Sequence, residues 1–578
     1  MKTMKTIRYI VTVALLVVVT GCDDSFLDMT NRFGSNTDTF YKTRADFDGA
    51  VGGVYYSLYI SGGNVFGEEH ITASLLSDIM LGGGGPDDQA AKNVDNFIDP
   101  TDDTYKDLWV ETYNGIFRAN NIIERIDEAD LSADFANEEE EAAYKNEVLG
   151  EMYFMRAFLL FRAAKFFGGM PLIITTDTPR DLPRASIPET FGQIAADLKK
   201  AIETLPRINP ATIPETNFGH ANLWVAQAYL ARVYLFYTGY MTNMEGQPTT
   251  EFTLPDGGTL SKQEVIDALT DCVNNSGYAL LDDFRNLWPY SYVNQSAGSV
   301  VYQWAADEGL EWAGQDGFNS SVGTGNTEVM FSLRYSFGNW GWDLQQRTTN
   351  RAALFTALRG NSALTPFGEG WGWGTIHTDF FNQWSDDDLR KRGSVLQAGV
   401  PEEGMDGYQG DKGDHETGLF NKKYIHIQYD DGAGMKGLFN YIHNWADTDM
   451  QLRHAQDFYY MRFADVLLML SELTEDPQYM NEVRERAGLD PIAYSLDALK
   501  QERLHELAFE GLRWFDLVRW GDVNDASKNF FDNEIEVRNS GATATYKVNY
   551  RPETKGLLSI PESEIRLSNG VYEQNTGW

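Results

Sequence analysis

The sequence predicts a mainly α-helical chain: a scaffold of tetratricopeptide-like helical pairs with a loop-rich, tryptophan-rich binding segment laid on it. Three observations predict this. Long stretches on both sides of the middle repeat their apolar residues at helical spacing. These stretches come as neighbours joined by short breaks, the unit from which helical stacks are built. Between residues 284 and 384 the helical period mostly fails, Gly, Asn and Ser increase, and eight of the 14 tryptophans fall there.

The chain opens on a leader, residues 1–21. Lys2, Lys5 and Arg8 precede an apolar run, Ile10 to Val19, that is too short to span a bilayer and reads as the core of an export signal. It ends in Val19-Thr20-Gly21-Cys22, which resembles the box cut by lipoprotein signal peptidase. Small residues admit the peptidase, and the Cys22 thiol takes the lipid. No later segment is apolar enough to span a membrane, so acyl chains on Cys22 are the expected membrane anchor. Asp23-Asp24, an acidic pair, follow it directly. Cys272 is the other of the two cysteines; it reads as a small buried apolar residue, and acylated Cys22 leaves it no disulfide partner.

The first predicted helix spans 104–128, with Leu108, Ile116, Ile122, Ile123 and Ile126 on its apolar side. The second spans 142–166, through Met152, Met155, Leu159 and Phe166, and stops at Gly168-Gly169 with Pro171 beyond. Residues 189–204 and 221–237 form the next pair, 458–473 and 477–487 another, and 497–510 with 511–520 the last. The strict tetratricopeptide consensus is absent. In the middle, Thr327–Tyr335 alternates as a half-buried strand does. The chain thus divides into a leader (1–21), an N-terminal helical region (22–283), an aromatic binding region (284–384) and a C-terminal helical region (385–578).

Acids outnumber bases by 85 to 47, a net charge of −38 that becomes three units more negative once the leader is removed. Such a charge opposes binding to nucleic acid or anionic lipid, since both depend on cationic neutralisation. With 13% aromatic residues the chain is folded rather than an acidic disordered one.

Catalytic patterns are incomplete along the chain. His415-Glu416 and His505-Glu506 lack the second histidine of a zinc protease, holding Leu419 and Phe509 there instead. No Gly-Lys-Ser/Thr phosphate loop and no Gly-x-Ser-x-Gly elbow occurs. Gly82–Gly85, followed by Pro86 and acids, reads as a mobile loop. Asp411, Asp414 and Glu416 miss the EF-hand spacing, so neither metal nor cofactor is expected. Paired carboxylates would serve a glycosidase. Asp386–Asp388 and the cluster Asp307, Glu308, Glu311 and Asp316 offer many acids, but their clustering reads as solvated loop.

A loop-rich region ordinarily loses large apolar residues; here it is enriched in them, the composition of a binding surface. The candidate platforms are Trp304, Trp312, Trp340, Trp342 and Trp371, with Asp78 as a polar contact from the N-terminal half. Trp340 and Trp342 lie two apart and would share one side of an extended chain. Trp373 and Trp384 flank a helical stretch, 377–390, and read as packing residues; Trp109, Trp224, Trp514 and Trp520 read as helical core.

Several motifs then resemble one family. Phe166-Phe167-Gly168-Gly169-Met170-Pro171-Leu172, Ala228–Leu235 (AYLARVYL), Arg462–Met469 (RFADVLLM), Asn481–Gly488 (NEVRERAG), Glu502–Trp520 (ERLHELAFEGLRWFDLVRW) and Ile560–Ile565 (IPESEI) follow in the order of the SusD/RagB family. The residues themselves read as structural: Arg462 with Asp465, and Arg513, Asp516 and Arg519, would form ion pairs that hold helices in register. The resemblance implies a helical-repeat scaffold and a lipid-anchored position on the exterior of the outer membrane of Bacteroidetes-type bacteria, with Asp23-Asp24 as the signal for export to the cell surface. It also implies a non-enzymatic role, capture of oligosaccharides for a TonB-dependent SusC-like transporter. Two alternatives stay open: a RagB-like peptide receptor, and a surface glycoside hydrolase. The family's ligand contacts vary between members, so the resemblance transfers no binding site.

Overall fold

The structure, a computed structural model, describes residues 40–578 except 61–64, 100, 180–181, 296–301, 338–341, 361–363 and 447–448. Cys22, the leader, Asp23-Asp24 and Trp340 lie outside the described residues.

The N-terminal half is a succession of helices, Arg44–Tyr55, Lys106–Ile123, Glu138–Phe167, Ile187–Thr204, Leu223–Asn243 and Lys262–Asn275, each of the last five packed on the one before. Local chemistry sets their ends. Asn137 accepts from the Glu140 N–H at 2.9 Å, and four glutamates fill the first turn of the longest helix, where its dipole favours them. Ser186 with Glu189, and Ser261 with Glu264, form reciprocal capping boxes. The longest helix stops at Gly168, whose φ of 77° suits glycine, and Gly169 then passes so close to the Ala185 carbonyl that a Cβ would sit 2.0 Å away. From Val148 onward nearly every residue of that helix is buried, so it is the central helix of the scaffold.

The C-terminal helices Phe463–Thr474, Pro477–Arg486, Leu496–Glu506 and Arg513–Trp520 close the stack: the first packs on Lys262–Asn275 and the last on Leu223–Asn243. Buried ion pairs make the joint. Asp465 accepts from Arg232 and Arg503, each at 2.5 Å; Asp516 accepts from Arg503 and Arg519, and Arg519 forks onto Glu472. Cys272 is fully buried and its thiol is pushed up to about 12 by burial.

One predicted helix begins differently. Residues 458–462 form a strand that pairs antiparallel with Val329–Leu333, and the helix starts only at Phe463. Both strands are buried on both faces; Val329–Leu333 lies in the stretch that alternates in sequence, but the apolar run Phe458–Arg462 carries no alternation that would distinguish it from helix. Arg462 therefore does not sit on a helix beside Asp465. It ends the strand and reaches Glu328 at 2.5 Å, Glu506 at 2.9 Å and Glu510 at 2.8 Å.

The middle of the chain is made of short helices and two-stranded sheets, and most of its tryptophans are core. Trp288, Trp304, Trp312, Trp373 and Trp384 are all buried. A two-stranded sheet cannot cover its own faces, so large rings fill the spaces between such pieces. Asp316, expected in a solvated loop, is also buried and paired with Arg334.

These buried charges fix the acid response. Burial opposes ionisation of Asp388, Asp465, Asp516 and Glu506, but their arginine partners outweigh it, and all four stay ionised to below the ordinary carboxylate range. Depressed carboxyls contribute stability above about pH 4 that is lost as the pH falls through their folded values. His70, His426 and His505 are held by burial near 3, so their contribution fades once the unfolded chain charges below about pH 6.5. Burial raises Glu68, Asp95 and Asp457 to about 7, which offsets the histidines between about pH 7 and pH 4 and not below. Urea midpoints should therefore change little down to about pH 5 and fall steeply below about pH 4. A midpoint that rises between pH 5 and pH 3 would show that these ion pairs do not control stability.

Candidate functional site

The site candidates separate once placed in the fold. Asp78 is 1% exposed and holds the Arg513 guanidinium in a fork at 2.8 and 2.7 Å, tying the N-terminal half to the last scaffold helix. It is a structural ion pair and not a ligand contact. Trp304 is buried beneath Lys422 and Arg392, whose cationic atoms lie 4.1 and 4.6 Å from its ring. Trp312 is 1% exposed and packs edge-on against Tyr292 and Phe439. Neither offers a face to a ligand. Trp342 is 46% exposed, but it opens the short helix Trp342–Arg347, so the extended-chain pairing with Trp340 does not apply to it.

Trp371 is the candidate that reaches a surface cavity. Its ring is half-buried, edge-on to Phe355 at 4.6 Å, while Phe355 stacks on Trp373 at 4.4 Å and Trp373 on Phe66 at 5.6 Å. This aromatic stack holds the Trp371 ring in place from behind. The cavity in front measures ≈ 410 Å³ and is lined by Asp88, Arg359, Glu369, Trp371, Lys412 and Met450, with Gly360 and Gly370 between them. Arg359 is the hub of its polar wall, 3.3 Å from the Asp88 carboxylate and donating to the Trp371 carbonyl at 3.1 Å. Both signs of charge are present, so the wall offers donors and acceptors without a strong net field.

Backbone builds the floor. Leu358–Arg359 pairs in parallel with Glu369–Gly370, and a Cβ on Gly370 would lie 2.3 Å from the Leu354 carbonyl. Gly82–Gly85, expected to be mobile, is buried and tied at every amide. The N–H of Gly82 donates to Asp95, of Gly83 to His415, of Gly84 to the Gly372 carbonyl, and of Gly85 to Asp88. Lys92 clamps the far side, bonding the Gly85 carbonyl at 2.9 Å and Asp414 at 2.7 Å. Four glycines in a row read as freedom in a sequence; here they let two backbones approach more closely than side chains permit. Helix Trp342–Arg347 packs on Met450–Leu452, which places exposed Trp342 on the element behind the Met450 wall. Arg359, Lys412 and Glu369 escape sequence reasoning because nothing in their spacing distinguishes them from other surface charges.

Of the histidine-glutamate pairs, His505 stacks on Trp384 at 4.6 Å and Glu506 joins the Arg462 network. Glu416 accepts from the Tyr408 hydroxyl at 2.7 Å.

Gly83 tests the floor. Its φ is +67° and a Cβ would meet the Gly372 carbonyl at 2.4 Å. Gly83→Ala should cost on the order of 2–3 kcal/mol in urea unfolding, strain and clash together. Gly432→Ala, with φ +86° but nothing within 4 Å, should cost about 1 kcal/mol from strain alone. Equal losses would remove the close approach from the account.

Comparison with known proteins agrees with this architecture. Residues 314–578 match the model described as the SusD family, and residues 26–235 the model described as starch-binding associating with outer membrane. SusD-like protein P2 of Formosa agariphila is 25% identical over 98% of both chains, and a SusD-like protein of Bacteroides ovatus is 23% identical over 91% of this chain and 84% of its own. Among solved structures, a laminarin binding SusD-like protein superposes with a TM-score of 0.66 at 21% identity, covering 93% of this chain and all of the other. The surface glycan-binding protein A of Bacteroides thetaiotaomicron in complex with laminarihexaose superposes with a TM-score of 0.65 at 20% identity, over 92% of this chain and 100% of its own. With matched segments in both halves, relatives aligned end to end and one fold throughout, the chain belongs to the SusD/RagB family.

Proposed function

We propose that the protein captures oligosaccharides at the outer membrane surface, holds them at the Trp371 cavity without cleaving them, and passes them to a SusC-like TonB-dependent transporter. The observation that carries this reading is the Trp371 ring: half-exposed, braced from behind by Phe355 and Trp373, and faced by Arg359, Asp88, Glu369 and Lys412. A pyranose has an apolar face of C–H bonds that such a ring covers, while its equatorial hydroxyls take the polar wall. Covering about 80 Å² in total gives roughly 2 kcal/mol gross at ~25 cal/mol/Å². A Kd in the micromolar-to-millimolar range requires about −4 to −8 kcal/mol, so hydrogen bonds from the polar wall must supply the rest and also offset the cost of ordering the glycan. Weak capture suits a receptor that hands its ligand on. Relatives described as laminarin binding and surface glycan-binding support the ligand class, and the family description supports the outer membrane.

A binding role without catalysis is supported by how the carboxylates near the middle are used. Asp316 is held by Arg334, and Glu403 by Lys422 at 2.7 Å and Arg392 at 2.7 Å. Acids neutralised in this way do not supply the separated acid and base of a glycosidase. The net charge of −38 favours neutral glycans over uronates or sulfated chains.

Titration of the soluble form, residues 23–578, with laminarihexaose and a panel of other neutral oligosaccharides tests the site. Trp371→Ala should weaken binding about tenfold or more, the scale of a stacked ring and its covered area, while the variant remains folded at the assay temperature. Undiminished affinity in a folded Trp371→Ala protein would reject the site. Release of new reducing ends during long incubation would reject the binding-only role. Tight binding of a polyuronate would reject the preference for neutral chains.

Anchoring is tested separately. If Cys22 carries the lipid, Cys22→Ala moves the protein from the membrane fraction to the soluble fraction and abolishes acyl labelling. Membrane partition that survives the substitution would require another anchor.

A further inference from the structure

A second and larger cavity, ≈ 670 Å³, lies apart from the Trp371 site and shares no lining residue with it. Its walls come from three separate elements. Tyr55 and Tyr59 stand at the end of the first described helix, Phe218 and His220 on the segment entering Leu223–Asn243, and Arg334 and Tyr335 just past the strand Val329–Leu333. The volume is within the ~300–1,000 Å³ range of small-molecule pockets.

The rings are fixed before any ligand arrives. The Tyr55 hydroxyl donates to Glu151 at 2.7 Å and accepts from the Ala221 N–H at 2.8 Å, while its ring stacks on His220 at 4.4 Å. The Tyr59 hydroxyl donates to the Arg334 carbonyl, and its ring meets that of Tyr335 at 6.0 Å and 65°, forming an aromatic corner. With hydroxyls tied at the back, half-exposed Tyr55 and Tyr59 lose little freedom on binding.

Charge narrows the ligand. Arg334 is committed: its guanidinium pairs with Asp316, lies 2.8 Å from Asp457, and donates to the Phe218 carbonyl at 3.3 Å. His220 is committed to Glu151 at 3.0 Å. Exposed Glu215 stands at the rim and accepts from Ser321. Acids outnumber cations around the cavity and the cations are already paired, so a carboxylate, phosphate or sulfate finds no partner there. A flat, neutral, hydroxyl-rich ligand does.

We propose that this cavity is a second saccharide-binding site, which takes a neutral sugar unit against the Tyr59 ring, braced from behind by buried Tyr335. It rests on the proposed function for the class of ligand only. The helix Trp342–Arg347 touches both sites, since Gln345 donates to the Ser336 carbonyl in the wall of this cavity and the same helix packs on Met450–Leu452 in the wall of the other. Two weak sites linked on one surface hold a polymer more tightly than either holds an oligomer.

Calorimetric titration with laminarihexaose, maltohexaose and cellohexaose, each with the soluble form, its Tyr59→Ala variant, its Trp371→Ala variant and the double variant, tests this. We expect two sites in the parent, one in each single variant and none in the double variant, with Tyr59→Ala weakening its own site about tenfold. Ser336→Trp, which fills the cavity and leaves Tyr59 in place, should remove the same site. If Trp371→Ala alone abolishes all binding, this proposal falls and the proposed function stands. If Tyr59→Ala and Ser336→Trp abolish all binding and Trp371→Ala changes nothing, the proposed site at Trp371 falls and this one stands. Absence of binding by all three sugars at millimolar concentration overturns both, as does Tyr59-dependent binding of a lysine-rich peptide in place of sugar.

Discussion

The rest of the structure depends on the buried charge network centred on Arg462. Its guanidinium bonds Glu328, Glu506 and Glu510. Around it, Arg486 adds bonds to Glu328 at 2.6 Å and Glu506 at 2.5 Å, Lys423 reaches Glu510 at 2.7 Å, and Arg390 is held by Asp388, Glu502 and Glu506. None of these groups is more than 4% exposed, so each has lost its water. Removing a buried charge from water costs several kcal/mol, repaid only when every partner is in place. Glu328, Asp388, Arg390 and Lys423 belong to the irregular middle and its C-terminal continuation, whereas Arg462, Arg486, Glu502, Glu506 and Glu510 belong to the helices that close the stack and the strand leading into them. The network therefore fixes where the loops that carry Trp371 and Tyr335 sit on the helices, a task that nondirectional apolar contact performs poorly.

Much of this frame is legible in the sequence. The helices declare themselves through period, caps and the glycine stop at 168, and the observed bounds differ by a few residues from those read off the pattern. The family motifs Arg462–Met469 and Glu502–Trp520 read as structural, and the structure places them in the two buried networks. The ambiguity that remains has a common cause. A strand buried on both faces need show no alternation, and Phe458–Arg462 is indistinguishable in sequence from the first turn of the following helix.

The site is less legible, because exposure is a property of the assembled surface. Trp304, Trp312 and Trp371 all fall in the same tryptophan-rich span of sequence, yet two are core and one borders a cavity. What separates them is whether a neighbouring piece covers the ring: Lys422 and Arg392 lie over Trp304, while among the described residues nothing comparable closes over the outer side of Trp371. Asp78 misleads for a related reason. A lone acid beside a loop looks available until Arg513, more than four hundred positions away, is brought against it. Tyr55, Tyr59 and Tyr335 carry no motif that singles them out, because they come together only through the meeting of two distant segments.

The glycine floor beneath Trp371 separates what is inherited for shape from what is free to diverge. Gly82, Gly83 and Gly84 meet Gly374, Trp373 and Gly372 through main-chain atoms, so that part of the joint is indifferent to the side chains that stand above it. Asp88 belongs to the joint itself, since it accepts from the Gly85 N–H and is bonded by Arg359, whereas Glu369 and Lys412 stand in the wall of the cavity. Substitution at Glu369 or Lys412 therefore alters the wall and leaves the joint in place, whereas substitution at Asp88 disturbs both.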